Sequence, residues 1–170
     1  MANVDNPHGL LPVYSMGGGP LQLEELSKAA TYAVALYPGD AVARVADNTL
    51  QIPATPGTTR ITGVNLGWGA ASKATTHLVV VDPLQVFEAQ ADGSLLEADM
   101  GLNANLLYGA GDATTLKSGH EINSATEDVT ATLDVHLLKK LDLPDNAYGD
   151  YVRLEVLINK HRMASDAVGV

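Results

Sequence analysis

Residues 151–161 read YVRLEVLINKH, a stretch in which apolar and polar side chains alternate for most of its length. Successive side chains point to opposite faces of a β-strand, whereas a helix repeats every 3.6 residues. The alternation therefore predicts a half-buried β-strand. Its two faces carry the apolar set Val152, Leu154, Val156 and Ile158 and the polar set Arg153, Glu155 and Asn159.

The segment VTATLDVHLL, residues 129–138, has the same period of two. The turn-forming stretch LPDNAYGD, residues 143–150, separates it from the strand above. We expect the two segments to pair as an antiparallel hairpin with a long loop. The predicted inner face carries Val129, Ala131, Leu133, Val135 and Leu137, and the outer face carries Thr130, Thr132, Asp134 and His136.

Shorter extended segments precede this hairpin. The residues 91–94, Ala-Asp-Gly-Ser, have a tight-turn composition and predict a second hairpin between residues 86–90 and 95–99. Gly39, in the sequence Pro38-Gly39-Asp40, is predicted to supply a turn conformation that is costly for other residues. Further strand candidates are residues 31–37, 41–45, 60–66 and 76–81. Many short strands without alternating long helices predict a mainly β chain, an antiparallel β-sandwich or barrel-like single domain.

Two segments do not follow this pattern. LQLEELSKAA, residues 21–30, contains good helix formers with apolar spacing at Leu23, Leu26 and Ala30, so local propensity favours a short helix. Residues 100–128 are rich in Gly, Asn, Ser and Thr, which indicates a long ordered loop of a kind that is often functional.

The first twenty residues, MANVDNPHGLLPVYSMGGGP, combine dense Gly and Pro punctuation with a short apolar run. We expect an extended N-terminal arm over residues 1–20 that forms no regular element, followed by a β-rich globular domain over residues 21–170. The segment has neither the basic start nor the apolar core of a targeting signal. Its apolar side chains need a surface to cover, so the predicted partner-binding residues are Leu10, Leu11, Pro12, Val13 and Tyr14.

Charge and composition exclude several function classes. The 170 residues include 20 acidic and 10 basic side chains, for a formal net charge of -10, and 46% are hydrophobic. Nucleic-acid binding depends on Lys and Arg that neutralise phosphates, so DNA and RNA are not expected partners. No run reaches the roughly 18 apolar residues of a transmembrane helix, so no membrane partner is expected. The chain has no cysteine, which removes disulfides, thiolate metal sites and cysteine nucleophiles.

No catalytic or ligand-binding motif emerges, and we expect a protein that is not an enzyme and has no cofactor and no metal. The five histidines, at positions 8, 77, 120, 136 and 161, have no metal-ligand spacing. His120 and Glu121 are adjacent, but neighbours on an extended segment point to opposite faces and make a poor acid–base pair. Trp68, between two glycines, is interpreted as a core or interface anchor.

Several segments together resemble a known family. The start MANVDNPHGLLPV is similar to the "MAN-x-x-x-P-x-G-L-x-P-V" start of capsid decoration (cement) proteins of tailed bacteriophages. Leu11 departs from that family, which often carries Arg after the Gly-Leu, so a charged contact there is not inherited. Relatives read as extended chain over residues 21–30, which argues against the helix. Further similar stretches, in the same order, are residues 38–42, 63–64, 81–83, 86–90, 101–105, 145–146 and 159–161.

The resemblance implies a virion structural protein. Such proteins are made in the host cytoplasm and sit on the outer surface of the capsid. They bind the major capsid protein, commonly as homotrimers at threefold positions, and clamp neighbouring subunits. The alternative is a phage β-sandwich module that binds carbohydrate or another surface, with Trp68 and Tyr108 as stacking candidates.

Overall fold

The computed structural model describes residues 3–164. Within that range, the helical structure consists of one short 3-10 helix, Glu97–Asp99. No helix within residues 3–164 is long and apolar enough to cross a membrane. Fourteen strands make up the rest of the regular structure: β1 Leu11–Ser15, β2 Leu23–Lys28, β3 Ala41–Arg44, β4 Leu50–Gln51, β5 Gly63–Asn65, β6 Thr75–Val80, β7 Gln85–Gln90, β8 Ser94–Leu95, β9 Asn103–Ala104, β10 Leu106–Asp112, β11 Lys117–Ile122, β12 Val135–Lys140, β13 Gly149–Asp150 and β14 Arg153–Ile158.

Two five-stranded sheets organise these strands. Sheet A has the order β1-β7-β14-β12-β9, and sheet B has the order β2-β6-β5-β3-β4. The pairs β10–β11 and β8–β13 form two small additional sheets. All strand pairings within the sheets are antiparallel, so the predicted mainly β, antiparallel, single-domain fold is confirmed.

The core has two parts. The larger cluster takes side chains from both sheets, such as Phe87 and Leu154 of sheet A and Val64 and Val80 of sheet B. The buried members of the smaller cluster are Leu26, Leu36, Val42, Leu50 and Val79. Because Val79 and Val80 are neighbours in β6 and point to opposite faces, sheet B contributes side chains to the core from both of its faces.

The predicted C-terminal hairpin exists in shortened form. β12 pairs antiparallel with β14, and Val152, Leu154, Val156 and Ile158 are all buried, as predicted. β12 begins only at Val135, however, so residues 129–134 are not a strand and Val129 is half exposed. The reason is Asp134, whose buried carboxylate accepts the N–H groups of Gly57 and Leu106 instead of pointing to solvent.

The second predicted hairpin, between residues 86–90 and 95–99, is wrong. β7 pairs with β1 on one side and with β14 on the other, so it has no free edge for β8. β8 pairs with β13 instead, and residues 97–99 form the 3-10 turn.

The helix predicted within residues 21–30 is also wrong. β2 pairs with β6 along its whole length, from Leu23 opposite Val80 to Lys28 opposite Thr75. Leu26 and Lys28 point inward, and the buried Lys28 ammonium donates to the carbonyls of Ala70 and Lys73. Tertiary pairing has overridden local helix propensity.

The region 100–128 is not a long loop, because it contains β9 and the hairpin of β10 and β11. Gly109 faces Gly119 across this hairpin, and a Cβ built on Gly109 would lie 2.2 Å from the Gly119 carbonyl oxygen. The glycines that made this region resemble a loop allow two strands to approach closely.

Candidate functional site at the N-terminal segment

Side-chain amides hold residues 3–6 against the body of the domain. The Asn3 amide donates to the carbonyls of Ala147 and Asp150 at 2.7 Å each, and its oxygen accepts the Ala147 N–H at 3.0 Å. Gln90 accepts the Asn6 N–H at 2.8 Å and donates to the Val4 carbonyl at 2.8 Å. These amides replace the backbone partners that an irregular segment would otherwise lack.

Gly9 and Leu10 are fixed by close packing. Gly9 has φ +72°, and a Cβ at this position would lie 2.3 Å from the Gly39 carbonyl oxygen and 2.6 Å from the Ser118 side chain. Leu10 is fully buried in the main core, and its N–H donates to the Gly39 carbonyl at 2.9 Å. Leu10, one of the predicted partner-binding residues, is therefore a core residue of its own chain and is not accessible to a partner.

Residues 11–15 form β1 on the edge of sheet A, so the expectation that the segment contains no regular element is wrong. The register runs from Leu11 opposite Glu88 to Ser15 opposite Gln85 and shifts at a bulge near Val13. The sequence could not reveal this strand because the free edge of β7 supplies its pairing. A separate N-terminal arm is accordingly not confirmed.

Pro12 and the bulge near Val13 make it unfavourable for a further strand to pair with β1 at this edge of sheet A.

A polar network ties β1 to the outer face of sheet A. The Tyr14 hydroxyl donates to Glu155 at 2.8 Å, and this hydrogen bond raises the pKa of Tyr14. Lys139 pairs with the same carboxylate at 3.2 Å. Glu88, on β7, has two partners: the His8 Nε2 atom lies 3.5 Å from its carboxylate, and an Arg153 guanidinium nitrogen lies 3.4 Å from it. The His8 ring is the main cause of the lowered pKa of Glu88, and Arg153 adds to it.

Around β1, large apolar side chains remain exposed. Met16 continues the strand with a backbone hydrogen bond to Leu84, and Val13 and Leu21 line one shallow cavity of about 220 Å³. We call this set the β1 surface; it comprises Leu11, Val13, Tyr14, Met16, Leu21 and Leu84, which are between 40% and 59% exposed. Three of the five residues predicted from sequence belong to it, while Pro12 is only partly exposed.

The prediction missed Met16, Leu21 and Leu84. Each lies beside turn residues: Met16 and Leu21 flank the run of Gly17–Gly19 and Pro20, and Leu84 follows Asp82-Pro83. Large apolar residues inside turn-forming sequence were a detectable signal, because turns run over the surface.

A buried polar pair lies beneath the anchored glycine. Asp40 and His120 are at most 1% exposed, and Asp40 Oδ1 lies 3.5 Å from His120 Nε2. Since His120 Nδ1 accepts the Ala41 N–H at 3.1 Å, the proton of the neutral ring is on Nε2, facing Asp40. Burial raises the pKa of Asp40 to about 6 and lowers the pKa of His120 to about 3. The pair is inaccessible to solvent, so we assign it a role in the stability of the fold and not in binding.

The other histidines are engaged within the chain. His77 contacts Thr75 and Asn65, His136 contacts Asn103, and the His161 ring accepts the Met163 N–H. Across residues 3–164, no group of three or more His, Asp or Glu side chains is arranged to hold a metal ion.

The two aromatic stacking candidates differ. Trp68 is 51% exposed, which does not fit a core anchor and leaves its ring accessible. Tyr108 packs edge-on against His120 and donates its hydroxyl to Asp134, so its ring is engaged within the chain. Burial and Asp134 raise the pKa of Tyr108.

Comparisons of the chain with protein-family models, with curated proteins and with solved structures find no match. The role of the β1 surface has therefore to be inferred from its own residues and from the physical chemistry of their arrangement.

Proposed function

We propose that this chain is a virion structural protein, a capsid decoration protein that binds the exterior of a phage head and stabilises contacts between major capsid subunits. The observation that carries the proposal is the β1 surface, in which large apolar side chains stay exposed on and beside a strand that is tied to the domain. Exposed apolar side chains gathered in one region of the surface are typical of protein interaction sites.

The way β1 is held supports a binding role. Backbone pairing with β7 and the Tyr14–Glu155 hydrogen bond fix the strand before any partner arrives. A surface that is already ordered loses less conformational entropy on binding than a flexible arm does. Because Pro12 and the bulge near Val13 disfavour strand addition, the partner would meet side chains and not extend sheet A.

The capsid as partner comes from the resemblance described above, which covers segments from the N-terminus to residue 161. The net charge of -10 is compatible with this role, because an acidic surface discourages nonspecific adhesion to nucleic acid. Self-association as a homotrimer belongs to the same proposal. Three copies of a weak contact would then combine through avidity.

The test uses capsid shells that lack the decoration protein, with co-sedimentation as the measurement. Val13→Asp and Met16→Asp place a charge in the β1 surface, and each should weaken binding at least tenfold. Val129→Asp is the matched control, because Val129 is 50% exposed and lies by β9, at the opposite edge of sheet A. Equal binding of all three variants and the wild type would show that the β1 surface is not the contact.

The second candidate is the carbohydrate- or surface-binding module, which the 51% exposure of Trp68 favours. Trp68→Ala separates the two. The decoration protein should keep its affinity for shells after this change, whereas a module that stacks sugars on Trp68 should lose glycan binding.

Sedimentation equilibrium over a dilution series measures whether the chain is trimeric.

A further inference from the structure

A cleft opens at the start of β1, between residues 6–11 and the tip of the β10–β11 hairpin. Its volume is about 290 Å³, and its walls include Leu11, Leu116, Lys117 and Arg153. This is near the lower end of the range for small-molecule pockets, roughly 300 to 1,000 Å³. The cleft is suited to one or two side chains of a protein partner. Leu11 is shared with the β1 surface, so the two features are continuous.

The apolar wall is kept at a conformational cost. Leu116 has φ +55°, a left-handed conformation that is unfavourable for a residue with a Cβ, and its side chain is 45% exposed. The turn before it is organised by Asp112, which accepts the Thr114 N–H and the Thr115 hydroxyl. The leucine side chain is therefore not needed for the turn. Strained residues of this kind cluster at binding and switch sites.

Basic residues outnumber acidic ones in the wall of the cleft, which includes Lys117 and Arg153 against Glu88. Arg153 pairs with Glu88 at 3.4 Å, and the His8 ring lies 3.5 Å from the same carboxylate. The exposed Lys117 ammonium makes only a long contact, 3.4 Å, to the Asn6 side-chain oxygen. Within residues 3–164, no ion pair is recorded between Lys117 and a carboxylate. A cationic side chain thus stands beside two exposed leucines on a protein with twice as many acidic as basic residues.

We propose that this cleft binds an acidic, aliphatic segment of the capsid shell, with a carboxylate on Lys117 and a neighbouring aliphatic side chain between Leu11 and Leu116. The inference rests on the proposed function and specifies the chemistry of the partner. Apolar contact would supply binding energy, and the ammonium would select for an acidic neighbour and against a basic one.

Two variants test the cleft by shell co-sedimentation. Lys117→Glu should weaken binding at least tenfold, whereas Lys73→Glu, an equal charge change at another exposed lysine, should change it less than twofold. Leu116→Gly should weaken binding by a similar factor while the melting temperature is unchanged or raised, because glycine accepts the positive φ. Equal effects of the two lysine changes, or wild-type binding by Leu116→Gly, would overturn the inference.

Carbodiimide cross-linking, which joins a lysine amine to a carboxylate in direct contact, identifies the partner. Mapping by mass spectrometry should join Lys117 to an Asp or Glu of the shell with an aliphatic neighbour. A cross-link to a second copy of this chain, or none while the shell is bound, would contradict the inference. If the wild type does not bind shells at all, the proposed function itself fails, which is a distinct outcome.

Discussion

Residues 3–10 and residues 11–21 follow one another along the chain, yet they meet the rest of the molecule in opposite ways. The first part, which we call the anchoring half, ends in a fully buried leucine and in a glycine packed against Gly39. The second part, the presenting half, carries most of the β1 surface. Adjacent leucines illustrate the change, because Leu10 is 0% exposed and Leu11 is 41% exposed.

The difference teaches how a short segment can serve both folding and binding. The burial of Gly9 and Leu10, together with the hydrogen bonds of residues 3–6, holds the presenting half in place. The exposed apolar side chains of the presenting half therefore need not be ordered by a partner. Changes in the anchoring half should therefore reduce stability, and changes in the presenting half should reduce binding.

The largest effect is expected for Gly9→Ala. The new Cβ would lie 2.3 Å from the Gly39 carbonyl oxygen, and alanine would have to adopt φ +72°. Backbone strain and overpacking together should lower the free energy of unfolding by about 4 kcal/mol. Denaturant titration measures the loss.

Gly18→Ala is the matched control for Gly9→Ala. Gly18 has φ +71°, but a Cβ there meets nothing within 4 Å, so only the backbone strain remains. We expect a loss of about 1 kcal/mol. Equal losses for the two alanines would mean that the close approach to Gly39 does not matter.

The leucine pair should show the next largest effect. Leu10→Ala empties a fully buried site and should cost about 3 kcal/mol of unfolding free energy. Leu11→Ala should cost about 0.5 kcal/mol or less, since its side chain is already partly in water. Shell affinity should show the reverse order once both proteins are folded. Denaturant titration and co-sedimentation give the two readouts, and a similar stability loss for both leucines would remove the distinction between the halves.

Strands with a clean alternation could be predicted from sequence because each residue's neighbours already specify its face. Val152 to Ile158 is the example, and its four inward residues are buried as expected. The strand of residues 11–15 could not be predicted in this way. Its pairing depends on β7, which is about seventy residues away in sequence, and Pro12 argues locally against a strand.

Local patterns also fail where a polar residue is buried. The alternation predicts a solvent-facing Asp134, yet its carboxylate is at the centre of a hydrogen-bonded cluster. Such a group can be buried because its lone pairs are satisfied by distant N–H and O–H donors, and no local pattern reveals those donors. The candidate site is likewise only partly predictable from sequence. The apolar run indicates Leu11, Val13 and Tyr14 as exposed residues, but only tertiary packing distinguishes them from the buried Leu10.

A smaller effect, dependent on pH, is expected from the Asp40–His120 pair under the anchoring half. The pKa of Asp40 is raised in the fold from 3.8 to about 6, so between these values the folded state binds more protons there and gains stability as pH falls. The pKa of His120 is lowered from 6.5 to about 3, so the folded state binds fewer protons there and loses stability as pH falls. The two contributions oppose each other between roughly pH 4 and 6.

Asp40→Asn removes the compensating carboxyl. Relative to the wild type, its unfolding free energy should fall by about 2 kcal/mol between pH 6 and 4, because only the His120 contribution remains. His120→Gln should show the opposite trend over the same range. Denaturant titrations of the three proteins at several pH values measure the differences, in which other carboxyl groups cancel. Parallel pH profiles would show that the pair does not set the stability of this region.

The smallest effect is expected for Tyr14→Phe in the presenting half. The change removes the 2.8 Å hydrogen bond to Glu155 but keeps the ring, and Lys139 still pairs with the carboxylate. Because Tyr14 is 44% exposed, water can replace the lost donor, so the unfolding free energy should fall by only about 0.5 to 1 kcal/mol. Shell affinity should stay within twofold, since the apolar ring still contributes to the β1 surface. A loss as large as that of Leu10→Ala would show that the hydroxyl anchors the segment as firmly as the buried leucine does, and the boundary between the two halves would then lie beyond residue 14.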